Sequence, residues 1–134
     1  MALSACGDFD SRNDTFTPET LRSWSTYYDL SRPEQNAKRA EALAAGSKGH
    51  ELWAALDARA DDLVVEKMRF SAFIQGSSNL AEVLRERGID TVVVTGTVTG
   101  VCCESTARDA MMRNFKCIMV SDGNAAMTDE DHNA

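Results

Sequence analysis

The stretch from Thr91 to Met112, TVVVTGTVTGVCCESTARDAMM, constrains the fold more than any other part of the chain. Four β-favouring residues, Thr91 to Val94, run into a turn with Gly96 and Gly100, and a helix-forming segment opens at the adjacent Cys102 and Cys103. A nucleophile would thus sit where a strand hands over to a helix, which is where α/β sheets keep their active sites. The order strand, helix, strand, helix, strand from Leu63 to Ser121 predicts right-handed crossovers and one parallel sheet. The near-continuous apolar VVV and CIMV suit strands buried on both faces.

Residues 1 to 16 are polar and Asp-rich, without a period apart from a short strand at Thr15 to Thr17, and predict an irregular arm. Residues 17 to 134 predict the folded domain. Thr17, Pro18 and Glu19 read as an N-cap and first turn of a short helix through Trp24. Trp24, Tyr27 and Tyr28 follow, a cluster that serves either as a core or interface anchor or as a pocket wall. Ser31 and Pro33 predict a polar helix ending at Gly46, and His50 to Ala58 another with Leu52, Trp53 and Leu56 on its apolar side. In the strand LVVEK, Leu63, Val65 and Lys67 share one face. Ser77 or Ser78 caps a helix with Leu80, Val83 and Leu84 at helical spacing, which Gly88 ends. The cysteine helix runs to about Asn114, a strand follows at Cys117 to Ser121, and Thr128 begins a further helix.

At 134 residues the chain is read as one domain. A net charge of −7 offers no basic stripe to a nucleic acid or an anionic membrane. No apolar run is long enough to span a bilayer, and the N-terminus lacks the pattern of a signal peptide, so a cytoplasmic protein is expected. The four cysteines, Cys6, Cys102, Cys103 and Cys117, show no CxxC spacing and suggest neither a zinc site nor a disulfide framework. His50 and His132, the two histidines, lie far apart in sequence, which argues against a Cys-His dyad or a histidine metal site. Gly96 and Gly100 match no phosphate-loop pattern, and no cofactor is expected.

In a parallel sheet all carboxyl ends point to one rim, so Lys67, the Thr95 to Val101 turn and Asp122 should converge. The positive end of a helix dipole and a nearby ammonium both favour a thiolate, the form in which cysteine is a nucleophile. Cys103 shares a helical stripe with Ala107, Ala110 and Met111, a core-facing pattern, which leaves Cys102 as the reactive thiol. The competing reading makes both cysteines packed small hydrophobes and Lys67 a surface lysine.

EKMRFSAF (Glu66 to Phe73) and VVVTGTVTGVCCESTARDA (Val92 to Ala110) resemble the two signature blocks of the isochorismatase-like cysteine hydrolase superfamily. The resemblance is strongest from about Asp62 to Ala126 and extends back to Thr15. It implies a Rossmann-like α/β fold, a parallel sheet with helices on both faces, incomplete in this chain. It also implies hydrolysis of an amide or ureido C–N bond of a small molecule through a cysteine thioester, or, as in isochorismatase itself, of an enol ether. The amide-cleaving members use an Asp-Lys-Cys triad. By position Cys102 matches the nucleophile and Lys67 the triad lysine, and the backbone N–H groups of Val98 and Cys102 match the oxyanion hole. The family's non-proline cis peptide would fall between Thr97 and Val98, and Phe73, Trp24, Tyr27 and Tyr28 become candidates for the substrate wall.

The family's aspartate ends a first apolar strand, and none is expected here; Asp8, Asp10 and Asp14 are the candidates left for the general base. The expectation is a family member truncated at both ends, forming a homo-oligomer. An inactive member serving as an interaction module is the alternative.

Overall fold

A computed structural model describes residues 2–6, 32–44, 46–67 and 69–134. The chain divides into two units, one of Met1–Ser4 with Leu63–Ala134 and one of Ala5–Asp62. The expected strand at Thr15 to Thr17, the helix through Trp24 and the aromatic cluster of Trp24, Tyr27 and Tyr28 lie outside the described residues.

Within Ala5–Asp62, helix α1 spans Pro33–Leu43, with the preset φ of Pro33 and the acidic Glu34 in its first turn. Its N-cap position falls to Arg32, which makes no side-chain cap. Past its end the Ser47 hydroxyl donates to the Ala42 carbonyl at 2.6 Å. The helix expected at His50 to Ala58 is instead a run of turns, in which the Trp53 carbonyl accepts the Leu56 N–H at 2.9 Å. Trp53 is 74% exposed and Leu56 48%, so no apolar face is covered, and a helix this short depends on packing to persist.

The larger unit holds the sheet. Strand β1, Ala2–Cys6, pairs with β2, Leu63–Lys67, so part of the expected irregular arm is a strand. Strand β3, Thr91–Thr97, pairs in parallel with β4, Lys116–Ala125. The architecture is α/β with a partial, open parallel sheet. One ladder through β2, β3 and β4 was the expectation, but hydrogen bonding divides the strands into two two-stranded sheets. Strand β2 joins the others through the core, where Val65 lies in a cluster with Phe73, Leu80, Leu84, Ala110 and Phe115, and Val92 and Cys117 pack against it.

The β3–β4 register runs from Thr91 opposite Lys116 to Val94 opposite Met119, shifts, and resumes with Gly96 opposite Asn124. At the shift Asn124 Nδ2 donates to the carbonyls of Val94 (3.2 Å) and Val120 (2.6 Å). The outer face is open: Val93 and Ile118, opposite each other in register, are 58% and 51% exposed, contrary to strands buried on both faces.

Helix α2, Leu80–Glu86, buries Leu80, Ala81 and Leu84 and is closed by Gly88 at φ 68°. Ser78 serves its start, accepting the Leu80 N–H at 3.2 Å. A π turn, Thr99–Cys103, leads directly into α3, Glu104–Met112. Cys103, Ala107 and Ala110 are buried as the spacing predicts, whereas Met111 is 61% exposed. Eight residues on from Cys103, Met111 is rotated about 80° from it, onto the flank of the stripe.

Asn114, at φ 66°, ends the helix in the left-handed conformation, and Phe115 returns to the core. The Phe115 ring lies 5.2 Å from that of Phe73. Lys116 then ties the two strand starts together, its N–H on the Asp90 carbonyl at 2.8 Å and its ammonium on the Asp90 carboxylate at 2.7 Å. Helix α4, Asp129–Asn133, follows β4, with Thr128 as its N-cap accepting the Asp131 N–H at 3.1 Å.

Candidate active site

Strand parity turns Lys67 inward with Leu63 and Val65, and Lys67 is only 7% exposed. The chain then folds back over it, so that Nζ donates to the carbonyls of Arg69 (2.9 Å) and Phe70 (3.3 Å). Both of these partners are backbone carbonyls. The same loop is braced by Ser71, whose hydroxyl accepts the N–H groups of Phe73 (3.1 Å) and Ile74 (3.2 Å). It is tied to the cysteine helix by the Ala72 N–H, which donates to Thr106 Oγ1 at 3.2 Å. Thr106 lies one helical turn beyond Cys102, so the lysine loop and the cysteine segment are held as one piece.

Near the end of β3 Gly96 lies at φ 120°, a conformation that favours glycine, and the Thr97–Val98 peptide bond is cis. The Val98 carbonyl accepts the N–H groups of Val101 (3.1 Å) and Cys103 (3.3 Å). The bond to Cys103 spans five residues, which marks the turn as π, a form found often at functional sites. Cys103 is buried at 4% exposure, and Cys102, one position earlier, is half-buried. Burial pushes the Cys103 thiol above its ordinary value, Cys102 pushes it further, and the Lys67 ammonium pulls it back. The Cys103 thiol thus feels charge from both Cys102 and Lys67.

Phe73, expected on the substrate wall, is 3% exposed and packs against Phe115. Its ring is buried because the backbone around it is fixed by Ser71 and the apolar cluster takes the side chain. Trp24 and Tyr28 lie outside the described residues. Asp122 is exposed in the stretch of β4 where the register with β3 breaks. One residue that sequence reasoning set aside is at the turn: His132 Nδ1 and Thr99 Oγ1 are 2.8 Å apart. Its only sequence signal is the Thr128 cap that starts its helix.

Among the described residues no group of His, Cys, Asp and Glu is placed to hold a metal ion. None of their helices is long and apolar enough to cross a membrane. A concavity lined by Arg32, Pro33, Glu34 and Gln35 carries no thiol.

The fold and site define a class: an α/β protein with a half-buried thiol in a strand-to-helix turn and a buried lysine at the end of another strand. The chain belongs to the isochorismatase family, its residues 15–134 matching the Isochorismatase domain. Ureidoacrylate amidohydrolase RutB of Variovorax paradoxus is 42% identical over 91 residues, which make up 68% of this chain and 34% of that protein. A cysteine hydrolase from Pseudomonas syringae pv. phaseolicola superposes with a TM-score of 0.69 at 33% identity, over 94% of this chain and 52% of that one. N-carbamoylsarcosine amidase from Thermoplasma acidophilum superposes with a TM-score of 0.62 at 28% identity, over 98% of this chain and 87% of the other. The chain spans about a third of the length of the curated relatives it matches.

Proposed function

We propose that the chain carries the nucleophile of a hydrolase that cleaves the C–N bond of an amide or ureido group in a small molecule. The observation that supports this reading is the loop after the buried Lys67, which is tied through the Ala72 N–H to Thr106, one helical turn beyond Cys102. The similarity to an amidohydrolase and an amidase supports it.

In this reading the Cys102 thiolate attacks the carbonyl carbon, forming a C–S bond and placing the carbonyl electron pair on oxygen. The N–H groups of Val98 and Cys102 hold that oxyanion, and the charge of Lys67 lies beside the reacting atoms. Collapse breaks the C–N bond, and the nitrogen leaves with the proton first taken from the thiol. Water then adds to the thioester, the C–S bond breaks, and acid and thiol are released. The substrate wall falls to Trp24 and Tyr28 and their neighbours.

The proton carrier is sought among Asp8, Asp10 and Asp14. Loss of a general base costs about 10²- to 10⁴-fold in rate.

The test is iodoacetamide labelling of the native chain at neutral pH, mapped by mass spectrometry, followed by a panel of amides and ureido acids. Cys102 should label first, and Lys67→Met should slow it. Equal, slow labelling of all four cysteines would sink the reading.

A further inference from the structure

We propose that His132 is a positioning residue for the cysteine turn, acting through Thr99; the inference rests on Cys102 being the nucleophile. Thr99 is the first residue of the π turn, three before Cys102, and its carbonyl accepts the Glu104 N–H. Its hydroxyl is bonded to His132 Nδ1 at 2.8 Å, across 33 residues of sequence. The turn is therefore tethered from outside its own strand and helix.

The tether is built from its far end as well. Helix α4 has only five residues, too few to persist without docking, and its capping fixes the backbone that carries His132. The Thr128 carbonyl accepts the His132 N–H at 3.1 Å, Thr128 Oγ1 accepts the Asp131 N–H at 3.1 Å, and Asn133 Nδ2 donates to the Asp129 carbonyl at 2.7 Å. The helix also abuts the turn: a Cβ added to Gly100 would lie 3.8 Å from the Asp131 carbonyl oxygen and 3.9 Å from Glu104 Oε2. The Glu104 carboxylate is held away by Arg108, at 2.6 Å. A threonine hydroxyl both donates and accepts, so the bond to Nδ1 forms with either tautomer of the imidazole.

The need for a tether follows from the π spacing. One residue more than an α turn requires is held between Val98 and Cys103, and release of that residue into α register rotates its neighbours by about 100°. Holding Thr99 keeps the front of the turn from relaxing and keeps Cys102 aimed beside Lys67.

The test compares mapped alkylation rates of Cys102 in the full chain and in Thr99→Val, Thr99→Ser, His132→Gln and His132→Asn. An asparagine amide falls close to the position of Nδ1, whereas that of glutamine does not. Thr99→Val and His132→Gln should slow Cys102 about fivefold, the worth of one ordinary hydrogen bond. Thr99→Ser and His132→Asn should restore a rate near that of the unaltered chain, which a loss of general stability would not do. Thr99→Val keeps the side-chain volume, so it carries the test if a histidine variant unfolds. Wild-type rates in Thr99→Val and His132→Gln overturn the proposal, as does failure of both rescuing variants. If Cys102 of the unaltered chain labels no faster than Cys103, the proposed function falls first and the positioning role with it.

Discussion

Replacing Phe115 by leucine tests how the cysteine helix is anchored at its far end. Phe115 is 5% exposed, its ring is 5.2 Å from Phe73 at an interplanar angle of 50°, and the Arg85 guanidinium carbon is 5.3 Å from its centroid. Leucine keeps most of the buried apolar area, so the loss is concentrated in the two ring contacts. A tilted aromatic pair contributes about 0.5–1.5 kcal/mol beyond its area. A cation–π contact from an exposed arginine adds about 0.5–1 kcal/mol. Phe115→Leu should therefore cost about 2 kcal/mol, and Phe115→Ala, which opens a cavity as well, about 3–5 kcal/mol.

The assay is urea unfolding followed by far-UV circular dichroism, since Trp53, 74% exposed, is a poor fluorescence reporter. Double-mutant cycles with Phe73→Leu and Arg85→Met should return couplings of about 1 and about 0.5 kcal/mol. A Phe115→Leu protein within about 0.5 kcal/mol of the unaltered chain, the usual scatter for substitutions away from such contacts, would refute the assignment.

Burial pushes both the Cys103 and the Cys117 thiols upward, so at pH 8 each should resist alkylation in the folded chain and label freely in urea; protection of neither would contradict the packing. Asp90 is held below its ordinary value of 3.8 chiefly by its hydrogen bond from Lys116, and Lys116 is raised above its ordinary 10.5 by Asp90. The aspartate's contribution is present above its unfolded pKa and lost as pH falls through the lower folded value. The lysine's is present below its unfolded pKa and lost as pH rises through the higher folded one. The stability gap between the unaltered chain and Asp90→Asn, read from urea melts, should be flat through neutral pH, close at both extremes and shrink in salt; a gap that widens on acidification contradicts the pairing.

The parts legible in the sequence were those whose determinants are local. Alternation placed Leu63, Val65 and Lys67 on one face, and helical spacing separated buried Cys103 from half-buried Cys102. The cis bond at Thr97–Val98 came from resemblance, not from propensity. Three features were hidden because their causes are non-local. The strand ALSAC holds no β-branched or aromatic residue and forms against β2, with nothing in its own composition to announce it. HELWAALDA has a helical pattern, but Trp53 and Leu56 gain no covering surface and the pattern goes unused. His132 is 33 residues from Thr99, yet the fold carries α4 back to the turn that holds Cys102. The contact of the Phe73 ring with Phe115 spans 42 residues, which no local pattern announces.

The register shift between β3 and β4 bears on how this chain tolerates changes of length. From Val94 to Gly96 the first strand advances two residues while its partner advances five, from Met119 to Asn124. The Asn124 amide bridges the gap by bonding two carbonyls that the ladder leaves, so the rungs on either side do not depend on the number of residues between them. A residue gained near exposed Ser121 falls within that surplus, whereas one gained at Ile118 turns the residues between it and the shift to the opposite face. Strand β4 is thus fixed in register along its first half and carries its surplus residues just before its last two rungs.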